Sequence, residues 1–199
     1  MSVLSPAAAP LAQAPGGHLI CHEKPEHAAA IEHLLDAAFG PGRHAKTSYR
    51  YRQDGPPLAE LCLIALDDSG RLAGTVRHWT VGIAGPTSDP VARQALLLGP
   101  IAVRPGLTGS GLGSALMHTA IASARELGHR LIVLVGDAAY YGRFGFGPAA
   151  DLGLVMPGEN PERLLALPLA PCDANAVSGT LVPLAGGCLR PLTGTADAA

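Results

Sequence analysis

Val103-Arg104-Pro105-Gly106-Leu107-Thr108-Gly109-Ser110-Gly111-Leu112-Gly113-Ser114-Ala115-Leu116 is the stretch that decides the fold. Apolar residues from Leu96 to Val103 lead into it as a strand, and residues Ser110 to Leu127 leave it as a helix. Leu112, Leu116, Ala120, Ala124 and Leu127 share one face of that helix, and Gly128 stops it. Glycines at 106, 109, 111 and 113 let backbone N–H groups approach a ligand with no Cβ in the way. Unpaired amides at the helix start favour an anion, typically a phosphate. The segment is a phosphate cradle between a strand and a helix.

Upstream of the cradle, His18 to His22 reads as a short strand. Pro25 opens a helix whose apolar stripe is Ile31, Leu34, Leu35 and Ala38, and Gly40-Pro41-Gly42 ends it. Residues 43–57 are polar, with a short helix around Lys46 to Arg52. Leu58 to Leu66 is apolar at nearly every position, as in a strand covered on both faces. The turn Asp67-Asp68-Ser69-Gly70 returns it as a long strand from Arg71 to Ile83. Pro86 to Pro90 reads as a loop, and the strand from Ala95 to Val103 is interrupted by Gly99-Pro100. Downstream come a buried strand from Leu131 to Val135 and a brief helix from Ala138 to Phe144. Two strands follow, near Leu152 to Met156 and Leu164 to Leu169. Antiparallel strands come first and one parallel crossover lies in the middle, so the class is α/β with a sheet of mixed direction.

The 199 residues fit one domain, and the formal net charge is -2. No run of Lys or Arg makes a nucleic-acid face. No stretch approaches the roughly 18 apolar residues that span a bilayer. Residues 1–17, rich in Ala and Pro without a basic start or an apolar segment, read as a disordered tail; residues 18–183 read as the domain and 184–199 as an irregular tail. Cys21, Cys62, Cys172 and Cys188 are scattered without a CxxC, so neither a disulfide framework nor a metal site is expected. The default location is the cytoplasm.

Two familiar phosphate loops fit the cradle poorly. Gly109-Ser110-Gly111 is followed by Ser114 where a dinucleotide fingerprint has its third glycine. Asp137 stands near the ribose position, but only about 60 residues follow it, too few for further βαβ units. A Walker A loop fails because no Lys-Ser/Thr pair follows the glycines. Downstream, after one helix and one strand, the chain has Tyr140-Tyr141-Gly142-Arg143-Phe144-Gly145-Phe146.

Together the two segments resemble the GNAT family of N-acetyltransferases. The acetyl-CoA motif of that family, Arg/Gln-x-x-Gly-x-Gly/Ala after Val-x-Pro, is matched by Val103-Arg104-Pro105, Gly111 and Gly113, with Thr108 in place of the long first residue. Tyr141 to Phe146 matches its Tyr-x-x-x-Gly-Phe. The likeness covers roughly residues 18–183 and is greatest to small bacterial acetyltransferases. It implies a GNAT fold: a mixed, mostly antiparallel sheet with a splayed central parallel pair, flanked by helices. Gly99-Pro100 then marks a bulge, and the pantetheine arm lies in the splay.

The resemblance also implies transfer of an acetyl group from acetyl-CoA to a primary amine of a small molecule or peptide, by direct attack. Thr108, Gly109, Ser110, Gly111, Leu112, Gly113 and Ser114 would hold the pyrophosphate, and Ile101, Ala102 and Val103 would align the pantetheine. Tyr141 is the candidate general acid, or it packs on the cofactor; Tyr140 is held in reserve beside the cofactor. Arg143 pairs with a phosphate or caps the helix end. His78, Glu60 and Asp137 are the candidate bases, with His78 preferred. The acceptor pocket would be lined by residues 40–57, 78–92 and the C-terminal part, which show no charge that identifies the acceptor. A homodimer fits the family. The rival function is a non-catalytic acyl-CoA-binding module on the same fold.

Overall fold

A computed structural model describes residues 10–53, 55–85, 94–170 and 177–184. In chain order these form β1 (Ala12–Gln13), β2 (Leu19–His22), α1 (Ala28–Phe39), α2 (Thr47–Arg50), β3 (Leu63–Leu66), β4 (Leu72–Ala84) and β5 (Gln94–Val103). Then follow α3 (Leu112–Glu126), β6 (Leu131–Val135), α4 (Ala138–Tyr141), β7 (Gly147–Pro148), β8 (Leu154–Val155), β9 (Leu164–Pro168) and β10 (Gly179–Pro183). They make one sheet in the order β1-β2-β3-β4-β5-β6-β9-β7, with β10 paired to β4 and β8. β5 and β6 run parallel at its centre, and their neighbours in this order are antiparallel.

The sheet is covered by α3 on one face and α1 on the other. Leu112, Leu116, Met117, Ala120, Ile121 and Ala124 of α3 are buried against Val76, Leu96, Leu98 and Ile132. Removing each such large side chain from water contributes about 1.5–3 kcal/mol, so this helix is fixed by its packing. α1 buries Ile31, Leu34 and Leu35 against Ile64 and Ala102. A third cluster, around Val81, Leu97, Val133 and Leu154, fills the C-terminal half.

Several expectations are corrected. Residues 10–17, assigned to the tail, carry β1, which pairs with β2 and buries Ala14; residues 1–9 and 185–199 lie outside the described residues. So do the loop from Pro86 to Pro90, Cys172 and Cys188. The long strand from Leu58 begins only at Leu63, because Ala59–Leu61 form a 3₁₀ turn that brings Leu58 and Leu61 into the core together. The strand near Leu152 shrinks to Leu154–Val155 behind another 3₁₀ turn. Ala38 in the last turn of α1 and Leu127, the residue just past α3, end exposed. β7 and β10 are additions that depend on distant partners.

Candidate active site

The glycine loop is folded as a cradle. Gly111, at φ 86°, sits in the left-handed region as the N-terminal cap of α3, where a side chain would be strained. The first hydrogen bond into the helix runs from the Ala115 N–H to the Gly111 oxygen at 3.0 Å. The amides of Leu112, Gly113 and Ser114 therefore precede the ladder, and Leu112 N–H reaches only Ser110 Oγ, at 3.4 Å. Thr108, Gly109 and Ser110 are exposed. A Cβ at Gly113 would lie 3.3 Å from the Tyr140 hydroxyl and 3.8 Å from Val103 Cγ1, so the floor of the cradle is a bare backbone under a tyrosine. The positive end of the 15-residue α3 points into it.

Beside the cradle the sheet opens. β5 and β6 pair only through Leu96 with Ile132 and Leu97 with Val133. Past Leu97 no pairing with β6 follows, while β5 stays bonded to β4 through Ile101, Ala102 and Val103. The break falls at Gly99-Pro100: Leu98 faces His78 and Ile101 faces Val76, so two residues oppose Arg77 alone in a bulge. Gly99 has φ 117° and the Gly99-Pro100 bond is cis. The edge of β5 from Gly99 to Val103 is thus open on its β6 side, ready to pair with an extended amide-bearing chain.

At the mouth of this wedge stands Tyr141. Asp137 caps α4 by accepting the Tyr140 N–H at 2.9 Å, which starts the turn directly after β6. Tyr141 then lies over Gly136, so close that a Cβ there would overlap its ring. Edge contacts with Tyr140, at 4.9 Å between centroids, and Phe146, at 6.1 Å, hold it from two sides. Burial pushes the Tyr141 phenol up to about 12, the charge of Tyr140 adds to this, and Arg163 pulls it back. At neutral pH the group carries its proton. Arg143 stacks over the Tyr140 ring at 4.5 Å and donates from Nε to the Tyr140 carbonyl at 3.2 Å, so it does cap the helix end.

Tyr141, Gly99, Pro100, Ile101, Gly136 and Asp137 share a cleft of about 230 Å³, whose far wall comes from the segment between α1 and β3. Arg43 in that wall is buried and binds Glu32, Asp36 and the Tyr49 hydroxyl. Arg77 of β4 binds Glu23 twice and Glu32 once. Glu32 bridges the two arginines; burial raises its pKa, but their hydrogen bonds and charges bring it below the usual carboxylate value.

The Acetyltransferase (GNAT) family profile matches residues 28–146, a span containing β5, the cradle and Tyr141. The chain belongs to the GNAT acetyltransferase family. It is 35% identical over 142 residues to the uncharacterised N-acetyltransferase YhbS of Escherichia coli K12, covering 70% of this chain and 81% of that protein. It is 30% identical over 136 residues to the uncharacterised N-acetyltransferase YjhQ of the same organism, covering 68% and 73%. The crystal structure of E. coli YhbS in complex with CoA superposes with a TM-score of 0.70 at 29% identity, over 90% of this chain and 92% of that one. A Brucella melitensis GNAT acetyltransferase in complex with acetyl-CoA gives 0.60 at 26% identity, over 84% and 96%.

Within this GNAT frame the residues expected from the sequence divide into two groups. The cradle, Ile101 to Val103, Tyr140, Tyr141 and Asp137 lie along the continuous path just described. His78 does not. It is fully buried and does not line the cleft; its Nδ1–H donates to the Leu61 carbonyl at 2.9 Å, and Nε2 has no partner among the described residues. Burial drives its pKa down to about 4, so it is neutral at pH 7, and a base there would have no path to an acceptor. Glu60 likewise stays out of the cleft, on the 3₁₀ turn before β3. Cys62 is a buried free thiol whose pKa is pushed up to about 12 by burial, which suits packing and not nucleophilic attack. Among the described residues no group of three or more His, Cys, Asp or Glu could hold a metal, and no helix is long and apolar enough to cross a membrane.

Sequence reasoning missed the arginine-lined wall. Arg43, Arg52 and Tyr49 fall in a polar segment without strong periodicity. The usable signal was the spacing of Tyr49 and Arg52, three residues apart, which stacks the guanidinium on the ring at 4.6 Å.

Proposed function

We propose that this protein transfers the acetyl group of acetyl-CoA to a primary amine by direct attack, with Tyr141 as general acid. The observation that carries the reading is the coincidence, in one cleft, of an open β5 edge and a half-buried protonated tyrosine beside a phosphate cradle.

The pyrophosphate of acetyl-CoA fits the amides of Gly113 and Ser114, with Tyr140 alongside. Pantetheine amides fit the open edge of Ile101 to Val103, which brings the thioester towards Tyr141. There a neutral amine attacks the carbonyl carbon, the C–N bond forms and the C–S bond breaks. The sulfur takes a proton from the Tyr141 hydroxyl, and the nitrogen releases one. An ordinary thiol has a pKa of about 8.5, so transfer from a phenol near 12 is uphill: the Tyr141 hydroxyl first hydrogen-bonds the sulfur as charge develops, and after the transfer the tyrosinate regains a proton from water. Asp137 is the acidic side chain lining this part of the cleft, and the proton from nitrogen passes to it or to water at the open mouth.

Free-thiol release from acetyl-CoA against a panel of amines tests the reading. Turnover that falls about a hundredfold in Tyr141→Phe, with acetyl-CoA affinity held within about threefold, is the expected result. Stabilisation by acetyl-CoA with no turnover of any amine would leave a non-catalytic binding module. Stabilisation by NAD in place of CoA would overturn both.

A further inference from the structure

Three arginines that are not exposed, Arg43, Arg52 and Arg77, line the cleft and its neighbour, with the exposed Arg163 standing apart towards Tyr141, and two of the three are matched by acids. Arg43 takes Glu32 and Asp36, and Arg77 takes Glu23 and Glu32. The third, Arg52, has no ion pair among the described residues. Its Nε and Nη1 are buried and have no hydrogen-bond partner among the described residues. Burial lowers its pKa to about 10, with Arg43 adding to the shift and Tyr49 opposing it, so the guanidinium stays charged at neutral pH.

A buried, unpaired charge costs several kcal/mol. A group that brings acceptors to Arg52 would recover part of that cost. The side chain of Arg52 is clamped. Its guanidinium lies 4.6 Å from the Tyr49 ring centroid and 5.2 Å from that of Trp79. Both rings are themselves pinned: the Tyr49 hydroxyl accepts from Arg43 at 2.8 Å, and Trp79 Nε1 donates to the Gly55 carbonyl at 3.2 Å. Cation–π contact offsets part of the lost hydration but satisfies no N–H. Arg52 also belongs to both halves of the acceptor space, the cleft holding Tyr141 and a neighbouring one of about 230 Å³ lined by Trp79 and Gln53.

A planar fork that lines a small cavity and keeps two nitrogens without partners among the described residues is suited to a planar or tetrahedral oxyanion. We infer that the acceptor is a small amine that also carries an oxyanion, a carboxylate or a phosphate, and that Arg52 receives it. The inference rests on the acetyl-transfer reading above and adds the substrate class. In it the anion is drawn onto Arg52 and the amine is left facing the β5 bulge and Tyr141. Glu23, Glu32 and Asp36 are engaged elsewhere and do not compete for the site.

The test compares matched amines at saturating acetyl-CoA: amino acids against their carboxamides, and phosphoethanolamine against ethanolamine. The anionic member of at least one pair should show about tenfold or greater kcat/KM, mostly through KM. The two pairs also separate carboxylate from phosphate. Arg52→Gln should reduce that preference to about twofold or less, and Arg52→Lys should keep part of it. Acetyl-CoA-dependent thermal stabilisation reports that each variant is folded. Equal rates for charged and neutral members, or a preference that survives in Arg52→Gln, would overturn the inference while leaving acetyl transfer intact. If no amine is turned over, binding decides instead: N-acetylglycine should bind the wild type about tenfold more tightly than N-acetylglycinamide does, and lose that advantage in Arg52→Gln. Equal binding by the two overturns the inference independently of the transfer reading.

Discussion

The ring of Tyr141 rests on the α-carbon of Gly136, where a Cβ would come within 2.6 Å of Tyr141 Cδ2 and overlap the adjacent Cε2. Gly136 is buried, and its amide is fixed by a 2.9 Å bond to the Arg163 carbonyl, so the backbone cannot retreat. The tyrosine faces the cleft because residue 136 has no side chain.

Gly136→Ala should therefore misplace the phenol without removing it. We expect kcat to fall about tenfold to a hundredfold while acetyl-CoA affinity changes less than about threefold. The double variant with Tyr141→Phe should be no slower than Tyr141→Phe alone, because both act through one hydroxyl. Additive losses in that cycle would show that Gly136 serves some other step.

Gly113 tests the cradle more cleanly than Gly111. It does not have the positive φ of Gly111, so a side chain there brings crowding and charge without backbone strain. Glutamate at this position also suits the first turn of α3, which favours stability. Gly113→Glu should keep its melting temperature within a few degrees yet bind CoA about a hundredfold more weakly, from clash and repulsion of the pyrophosphate. Retained affinity in a calorimetric titration would remove the pyrophosphate from the start of α3.

The features legible in the sequence are those that local chemistry determines. Glycines at 106, 109 and 111 mark backbone with positive φ, and Tyr141 follows β6 by one capped turn. The bulge at Gly99-Pro100 was legible because proline breaks a ladder. Illegible features depend on distant partners. β1 and β7 are two residues long, and they and β10 are held by pairing with other strands. The choice of His78 failed for a related reason: alternation along β4 separates it from Arg77 and Trp79, but sequence does not say which side of the strand faces the acceptor. Arg52 was passed over because a lone arginine in a polar segment reads as solvated, and its burial is visible only in three dimensions.

Glu32 ties α1 to β4 by accepting from Arg43 on one oxygen and Arg77 on the other. Its side chain is 47% exposed and each arginine keeps a second acid, so the stability at stake is modest. Glu32→Ala should cost about 1–2 kcal/mol in chemical denaturation. The larger effect should fall on the acceptor: loosening Arg43 frees Tyr49, one face of the clamp on Arg52, and raises acceptor KM without altering acetyl-CoA affinity. A variant that loses stability but keeps its acceptor KM would show that the network supports the fold alone.

His78 should leave its mark on acid stability in place of the pH profile of turnover. Its folded pKa, lowered by burial to about 4 from 6.5, means that the unfolded chain binds the extra proton first as the pH falls. The stability contributed by its neutral form is complete above about pH 6.5 and is lost progressively down to about pH 4, by about 3 kcal/mol. His129, also held below the ordinary imidazole value chiefly by burial, adds to the same slope. His78→Leu leaves the Leu61 carbonyl without its donor and so lowers stability at pH 7, but it should flatten the loss between pH 6.5 and 4. Urea unfolding across that range checks both. A variant that keeps the wild-type slope would assign the acid sensitivity to the carboxylates around Arg43 and Arg77.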